Sequence, residues 1–437
     1  MMKRVFFLFL YFPLLSFGQN NYLDPVNYYH FVAPCYFPEE TLTLRTNWYG
    51  SLDLPFRIND GLKKDLNDSL IISPSNIFSE LDDSPNLYSN IDIELLFIGL
   101  KVGYNKDYFI SASSNLKSVL NIRGNKSVFG YFINGNSHYL GEHVSQSEKG
   151  MGHLMYLSTS FGCSKRINES FHIGLKINYL RGLSNFFIES FNLHLYSNYP
   201  EYGEPLFTEI QTDLLIHTKR FNSPFSSNNR GISSDIGFSY KENNLYKITA
   251  SINNMGFISW GDESQVLRLD TILVLESFIT SYDDLINFSE DEIESYVDSI
   301  SQYFSFDTIS SPNKQKLPID VFFSFDYFIN PTSTFSFNLH SQLQNKNIYS
   351  LFNVSYLKRL NNFLSTNIDY NIIDKSYNNL GVGFTFSHGK TSININSYNL
   401  FSNNLLTFEK MAFNFSIKIG FNTKKKHNYF PKYKLRI

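Results

Sequence analysis

Stretches of about ten residues in period-two alternation recur along this chain, and few architectures can accommodate so many of them. Phe171, Ile173, Leu175, Ile177 and Tyr179 are apolar, with His172, Gly174, Lys176 and Asn178 set between them. Phe335, Phe337 and Leu339 alternate with Ser336, Asn338 and His340, and Phe413, Phe415, Ile417, Ile419 and Phe421 with Asn414, Ser416, Lys418 and Gly420. Similar runs occupy Ile91 to Phe97, Ile232 to Tyr240, Tyr246 to Ile252, Val321 to Tyr327, Leu364 to Tyr370 and Leu380 to Phe386. Extended, such a stretch measures ~33 Å, and tilted by ~40° it covers the ~25 Å apolar band of an outer membrane. Helices cannot do the same work here: past the first twenty residues no apolar run approaches the ~18 to 20 residues that a spanning helix needs. Aromatics at 17%, through 43 Phe and 29 Tyr, argue against disorder. A net charge of -3 without a basic domain argues against nucleic-acid binding.

Alternation alone also fits a soluble sandwich, and the connections separate the two. Long links fall at roughly 56–89, 121–151, 219–230, 255–316 and 399–409. Tight ones fall at Asn105-Lys106-Asp107, Lys165 to Glu169, Lys241 to Asn244, Asn330-Pro331-Thr332, Lys358 to Asn362 and His388-Gly389-Lys390. Starting from a first strand near Leu42 to Pro55, every long link lands at one end of a barrel and every named tight turn at the other. Short periplasmic turns and longer outer loops are the signature of a transmembrane antiparallel β-barrel. The residues alone count to about sixteen strands, with 185–219 the hardest to divide, and the interior would be wet and polar. Tyr240, Tyr327, Phe386 and Phe421 sit in the apolar register just before a periplasmic turn or the chain's exit. They are the candidate aromatic girdle.

The ends carry their own signals. Lys3 and Arg4, the apolar stretch Val5 to Phe17 and the small Gly18 read as a cleaved signal peptide over residues 1–18, which exports the mature chain from the cytoplasm; the barrel reading then places it in the outer membrane. Residues 19–41, with Pro25, Pro34 and Pro38, either fold inward as a plug or lie in the periplasm. The barrel then covers 42–421, and 422–437, with Lys424, Lys425 and Lys426, form a basic periplasmic tail. Cys35 and Cys163 make no disulfide framework; they read as unpaired thiols in packed positions, with a bond between them left open.

In the 255–316 link, Ser289 and Glu292 form a capping box, and Phe288 with Ile293 the hydrophobic staple of a helix over about 290–303. Ile293, Tyr296, Val297, Ile300 and Phe304 share its apolar face, which serves as a lid or a partner site. Ser127 to Asn134 suggests a short helix. His138, His143 and His153 have no metal-site spacing, and no nucleophile elbow, phosphate loop, dinucleotide fingerprint or HExxH is present. The expectation is therefore a non-enzyme without cofactor or metal.

Several segments resemble an uncharacterised family of Bacteroidota outer-membrane barrels, itself similar in architecture to FadL-type transporters and to the PorV shuttle of type IX secretion. They are Val128 to Phe132 with Gly135-Asn136 and Gly141, Ile173 to Gly182, Asp235 to Tyr240 and Ala250 to Trp260. The resemblance implies about fourteen strands, within a range of 12–16. FadL-type transporters carry an Asn-Pro-Ala element in the plug, and Asn27 to Pro34 has none, which weighs against fatty-acid-type transport. Two roles follow: a PorV-like scaffold or shuttle for surface and secreted proteins, or a FadL-like transporter for a hydrophobic or small solute. The partners expected are outer-membrane lipid and secretion-system or surface proteins.

Overall fold

A computed structural model describes residues 33–421 apart from 39, 55–61, 65–69, 73, 82, 199–205, 220–227, 243–244, 262–263, 277–306, 311, 345–346, 374–375 and 402–409. The helix expected over 290–303, with Ile293, Tyr296, Val297, Ile300 and Phe304, lies outside the described residues. So do the signal segment 1–18 and the tail 422–437.

Fourteen antiparallel strands close into one barrel. They are β1 (Leu42–Asp53), β2 (Asn86–Val102), β3 (Tyr108–Arg123), β4 (Met151–Arg166), β5 (Phe171–Ser197), β6 (Arg230–Glu242) and β7 (Tyr246–Trp260). The ring continues with β8 (Ile319–Asn330), β9 (Ser333–Gln344), β10 (Asn347–Arg359), β11 (Leu364–Ile373), β12 (Ser376–His388), β13 (Thr391–Phe401) and β14 (Lys410–Phe421). Each strand pairs with its predecessor. The seam closes between β1 and β14, from Leu42↔Phe421 to Asp53↔Lys410. Closure leaves the ring no edge for foreign strands to join.

The residue count of about sixteen is thus two too high, and the surplus lies where the division was hardest. β5 is 27 residues long, far more than a membrane requires. Its first half lies in the ring, and its second half, Asn185 to Ser197, pairs with Phe207–Lys219 outside it. A strand over Gln265–Glu276 extends this outer sheet, and His143–Glu148 pairs on the other side of β5. Alternation persists in these strands because one face covers a small core of Val128, Tyr131, Val144, Leu193, Leu195, Ile210 and Leu273. A period-two pattern reports half-burial and cannot tell hydrocarbon from protein as the cover.

Within that outer layer, helix α1 (Pro74–Glu80) starts on a proline, and α2 (Lys126–Asn134) matches the short helix expected there. Asn125 caps α2, its side-chain oxygen accepting from the Ser127 N–H at 2.8 Å, and Gly135 ends it at φ 85°. Burial behind α2 pushes the Tyr139 phenol pKa above its ordinary value.

At the other end, side chains hold the turns that the sequence marked. Asn168 accepts from the N–H groups of Ser170 and Phe171, and Asn361 does the same for Phe363 and Leu364. Asn330 accepts from the Thr332 N–H, and Gly389 takes φ 63° in the tightest turn. All the named tight turns share this end. The links 345–346 and 374–375, at the long-loop end, are just two residues each.

Polarity is inverted relative to a soluble protein. On β6, Ile232, Ile236 and Phe238 are exposed on the outer wall, while Ser233, Asp235 and Ser239 are buried inside. β1 buries Thr43, Arg45, Asn47, Ser51 and Asp53 and leaves Trp48 exposed. A surface of Ile, Leu and Phe around a core of Asn, Ser and Asp is stable only if hydrocarbon covers the outside.

Candidate functional site: the barrel lumen

The lumen is filled by three layers of side chains. At the tight-turn end, residues 33–38, the part of the 19–41 segment among the described residues apart from 40 and 41, lie against the inner wall. Ser164 Oγ on β4 donates to the carbonyl of Pro34 at 2.6 Å. Gly174 on β5 makes room for that backbone: a Cβ there would lie 2.0 Å from the Pro34 oxygen. Tyr36 meets Phe97 and Phe109 edge-on, at centroid distances of 6.3 and 6.0 Å. Over these rings lies the guanidinium of Arg45, 4.1 Å from the Phe97 centroid and 5.4 Å from that of Tyr36. Arg45 also forks onto Glu94, with Nε and Nη2 each 2.6 Å from a carboxylate oxygen.

Cys35 is buried inside this layer, whereas Cys163 is exposed on the outer face of β4. The wall stands between them and both thiols are free, so neither the disulfide nor a packed Cys163 holds.

The middle layer is a charged brace across the lumen. Lys117 on β3 lies 3.4 Å from Asp92 on β2 and donates to Asn254 Oδ1 on β7 at 3.2 Å. Asn254 adopts φ 62° beside a bulge in the β6–β7 pairing. There its N–H reaches Asp235 at 2.7 Å and its amide reaches Asp320 on β8 at 2.5 Å. Asp235 is also bound by Lys176 at 3.0 Å and by Asn178 at 3.0 Å. Asp320 takes bonds from Gln342 at 2.9 Å and His340 at 3.4 Å, and Gln342 accepts from Tyr88 OH at 2.8 Å. β3 and β7, like β2 and β9, are not neighbours in the ring, so these contacts tie opposite walls together. The far side continues as an amide ladder, Asn338 to Asn353 at 2.8 Å and Asn353 to Asn371 at 2.7 Å.

Further toward the long-loop ends of β4, β5 and β7 the lining turns apolar. Leu154, Tyr156, Leu180, Ile258, Trp260 and Leu317 form a buried cluster there, beyond Ser158, Asn178 and Asn254 on the same strands. A second cluster joins opposite walls through Tyr49, Phe322, Leu351, Tyr398 and Ala412. The space left among Arg45, Asp92, Lys117, Lys176 and Asp235 is of water size.

Of the residues singled out in the sequence, Tyr327, Phe386 and Phe421 are exposed on the outer wall near the tight-turn end, and Tyr240 is half-buried there against Glu242. The loop histidines do not converge: His153 bonds Ser118 Oγ at 2.9 Å, while His143 stacks on Tyr196. Among the described residues no group of His, Cys, Asp and Glu could hold a metal ion. The lumen residues were not singled out at all. The signal available was tyrosine in the polar register, at Tyr49, Tyr88 and Tyr156, where a wet interior would have favoured smaller polar groups.

The sequence matches, over residues 43–397, a family described as a family of unknown function (DUF5723). No curated protein matches it. Among solved structures, the Ralstonia pickettii toluene transporter TbuX is similar with a TM-score of 0.44 and 9% identity, over 94% of this chain and 100% of that one. A deletion mutant of the TodX monoaromatic hydrocarbon channel scores 0.45 at 9% identity, over 91% and 94% of the two chains. A Pseudomonas aeruginosa FadL homologue scores 0.41 at 9% identity, over 90% and 94%. What those channels carry says nothing, at such identity, of what this chain carries.

Proposed function

The chain belongs to the DUF5723 family, and we propose that it is a non-enzymatic outer-membrane barrel that passes a small polar solute through a lumen closed at rest. The charged brace carries this reading. Arg45, Asp92, Glu94, Asp235 and Asp320 are all buried at membrane depth. Ionisable groups held there are expensive and mark solute or ion paths, whereas a barrel serving only as a carrier could fill its centre with Leu and Phe at no such cost. The same lining argues against a hydrophobic cargo moving along the axis. The apolar cluster around Trp260 and the N-terminal segment act as outer and inner gates. Export by the cleaved signal peptide and a girdle of Tyr240, Tyr327, Phe386 and Phe421 at the periplasmic interface belong to the same reading.

The lumen reverses the order of the two sequence expectations, since the PorV-like scaffold role came first there. One observation favours keeping that role second: the sheet built on β5 rises beyond the ring as a folded platform for secretion-system or surface proteins.

Planar-bilayer recordings test transport. Wild-type protein is expected to be nearly silent, and Tyr156→Ala with Trp260→Ala, or removal of residues 19–41, is expected to open a steady ionic conductance. Silence of both variants, with heat-modifiable migration intact on a gel, would leave the scaffold role standing and transport rejected.

A further inference from the structure

One patch on the outer wall does not fit a purely apolar lipid-facing surface. Arg181 on β5 lies directly opposite Arg230 on β6. Arg230 in turn faces Ser259 on β7, and Ser259 faces Lys314 on the short strand Asn313–Lys316. Lys316 falls in the next row, opposite Phe257. Neighbouring strands are ~4.8 Å apart, so Arg181, Arg230 and Lys314 lie within about 15 Å along one row.

All four cations point outward. Arg230, exposed, and Arg181, half-buried, fall in the same register as the exposed series Ile232, Ile236, Phe238 and Ile173, Leu175, Ile177, Tyr179. Lys314 and Lys316 are exposed, while Gln315 between them bonds the buried Trp260 inside. Directly below, on the membrane side, run Tyr179, Ile232 and Phe257. Arg181 lies 5.9 Å from the Tyr179 ring centre and Lys314 5.3 Å from that of Phe257.

Like charges placed opposite one another on adjacent strands repel, and a solubility role would scatter them. Here they gather at the long-loop rim, where apolar wall gives way to water, on stems long enough to lift the charge to headgroup level. Aromatic rings underneath fix that level at the interface. Planar guanidinium forks are suited to phosphate, and basic clusters at a membrane surface recognise anionic headgroups.

We propose that Arg181, Arg230, Lys314 and Lys316 form a binding site for the phosphate groups of a lipid headgroup in the outer leaflet, with Tyr179 and Phe257 against the acyl chains. The site depends on the barrel spanning the membrane and is independent of whether the lumen conducts, so bilayer recordings and lipid binding can fail separately.

The test is native mass spectrometry of the detergent-solubilised full chain with lipid A, with dephosphorylated lipid A, and with inorganic phosphate as competitor. Lipid A is expected to remain bound and its dephosphorylated form to be lost. Arg230→Gln and Lys314→Gln should each weaken retention about fivefold, and the fourfold Gln variant should abolish it. Lys165→Gln with Lys241→Gln, at the tight-turn rim, should leave retention unchanged. Equal binding of both lipids, undiminished binding by the fourfold variant, or displacement by millimolar phosphate would overturn the assignment. Heat-modifiable migration of each variant distinguishes loss of the site from loss of the barrel.

Discussion

Glu94→Ala is expected to be the most destabilising single change in the wall, lowering the stability of the barrel in detergent by about 3–5 kcal/mol. Arg45 and Glu94 have side-chain exposures of 2% and 7%, so the carboxylate is the main counter-charge of a guanidinium withdrawn from bulk solvent. Truncation removes that counter-charge and leaves Arg45 charged and buried beside the faces of Phe97 and Tyr36. Arg45→Met combined with Glu94→Leu removes both charges and should recover most of the loss, because replacing a buried pair with apolar groups is often neutral. Urea midpoints of folding into micelles, compared across Arg45→Met, Glu94→Leu and the double, give the coupling. If the double variant were as unstable as Glu94→Ala, the ion pair would not be the source of the effect.

That pair also illustrates what alternation can and cannot convey. Arg45 and Glu94 both occupy polar-register positions, so their inward direction follows from the pattern. Their meeting does not follow, because β1 and β2 are joined through residues 54–85 and each shifts register, one between Arg45 and Asn47, the other between Glu94 and Leu96. Both shifts come from one extra residue on β2 near Leu95; a bulge of this kind re-aims side chains, and a single sequence has no periodic mark for it. Asn254 is the stronger case. It sits in a run that reads as strand, yet its left-handed backbone turns it into the centre of the brace. Fold class and the parity of links were legible because they are repeated along the chain; the brace was not, because it is assembled once, from seven strands, β2, β3 and β5 to β9.

The extra strands show the converse. Phe207–Lys219, in the stretch that was hardest to divide, and Gln265–Glu276, inside the link expected over 255–316, are extended strands of a length that would span a membrane. They differ only in the medium on their greasy face, which for Leu273 and Ile210 is helix α2 and its neighbours in the outer core. Length is the better discriminator, since one 27-residue alternation cannot lie wholly within a membrane about 25 Å thick.

The second large effect is expected from the smallest substitution. Gly174→Ala adds a single methyl group, and in a strand of ordinary backbone geometry alanine is at least as well tolerated as glycine. Its Cβ would, however, lie 2.0 Å from the Pro34 oxygen, 2.3 Å from the Pro34 carbonyl carbon and 2.5 Å from the Cys35 nitrogen. All three are backbone atoms with no rotamer to change, so the N-terminal segment must leave its seat while the ring keeps its pairing. Cys35, buried in the parent protein, reports the departure. In a Cys163→Ser background a membrane-impermeant maleimide should leave the parent unlabelled and modify Gly174→Ala fully. Ser164→Ala removes the hydroxyl that donates to the carbonyls of Pro34 and Tyr36, at a cost of about 1–3 kcal/mol, and should give intermediate labelling. Continued protection of Cys35 in Gly174→Ala, with the barrel still heat-modifiable, would mean that residues 33–38 can yield without leaving, held by the packing of Tyr36 on Phe97 and Phe109 and not by the seating of Pro34.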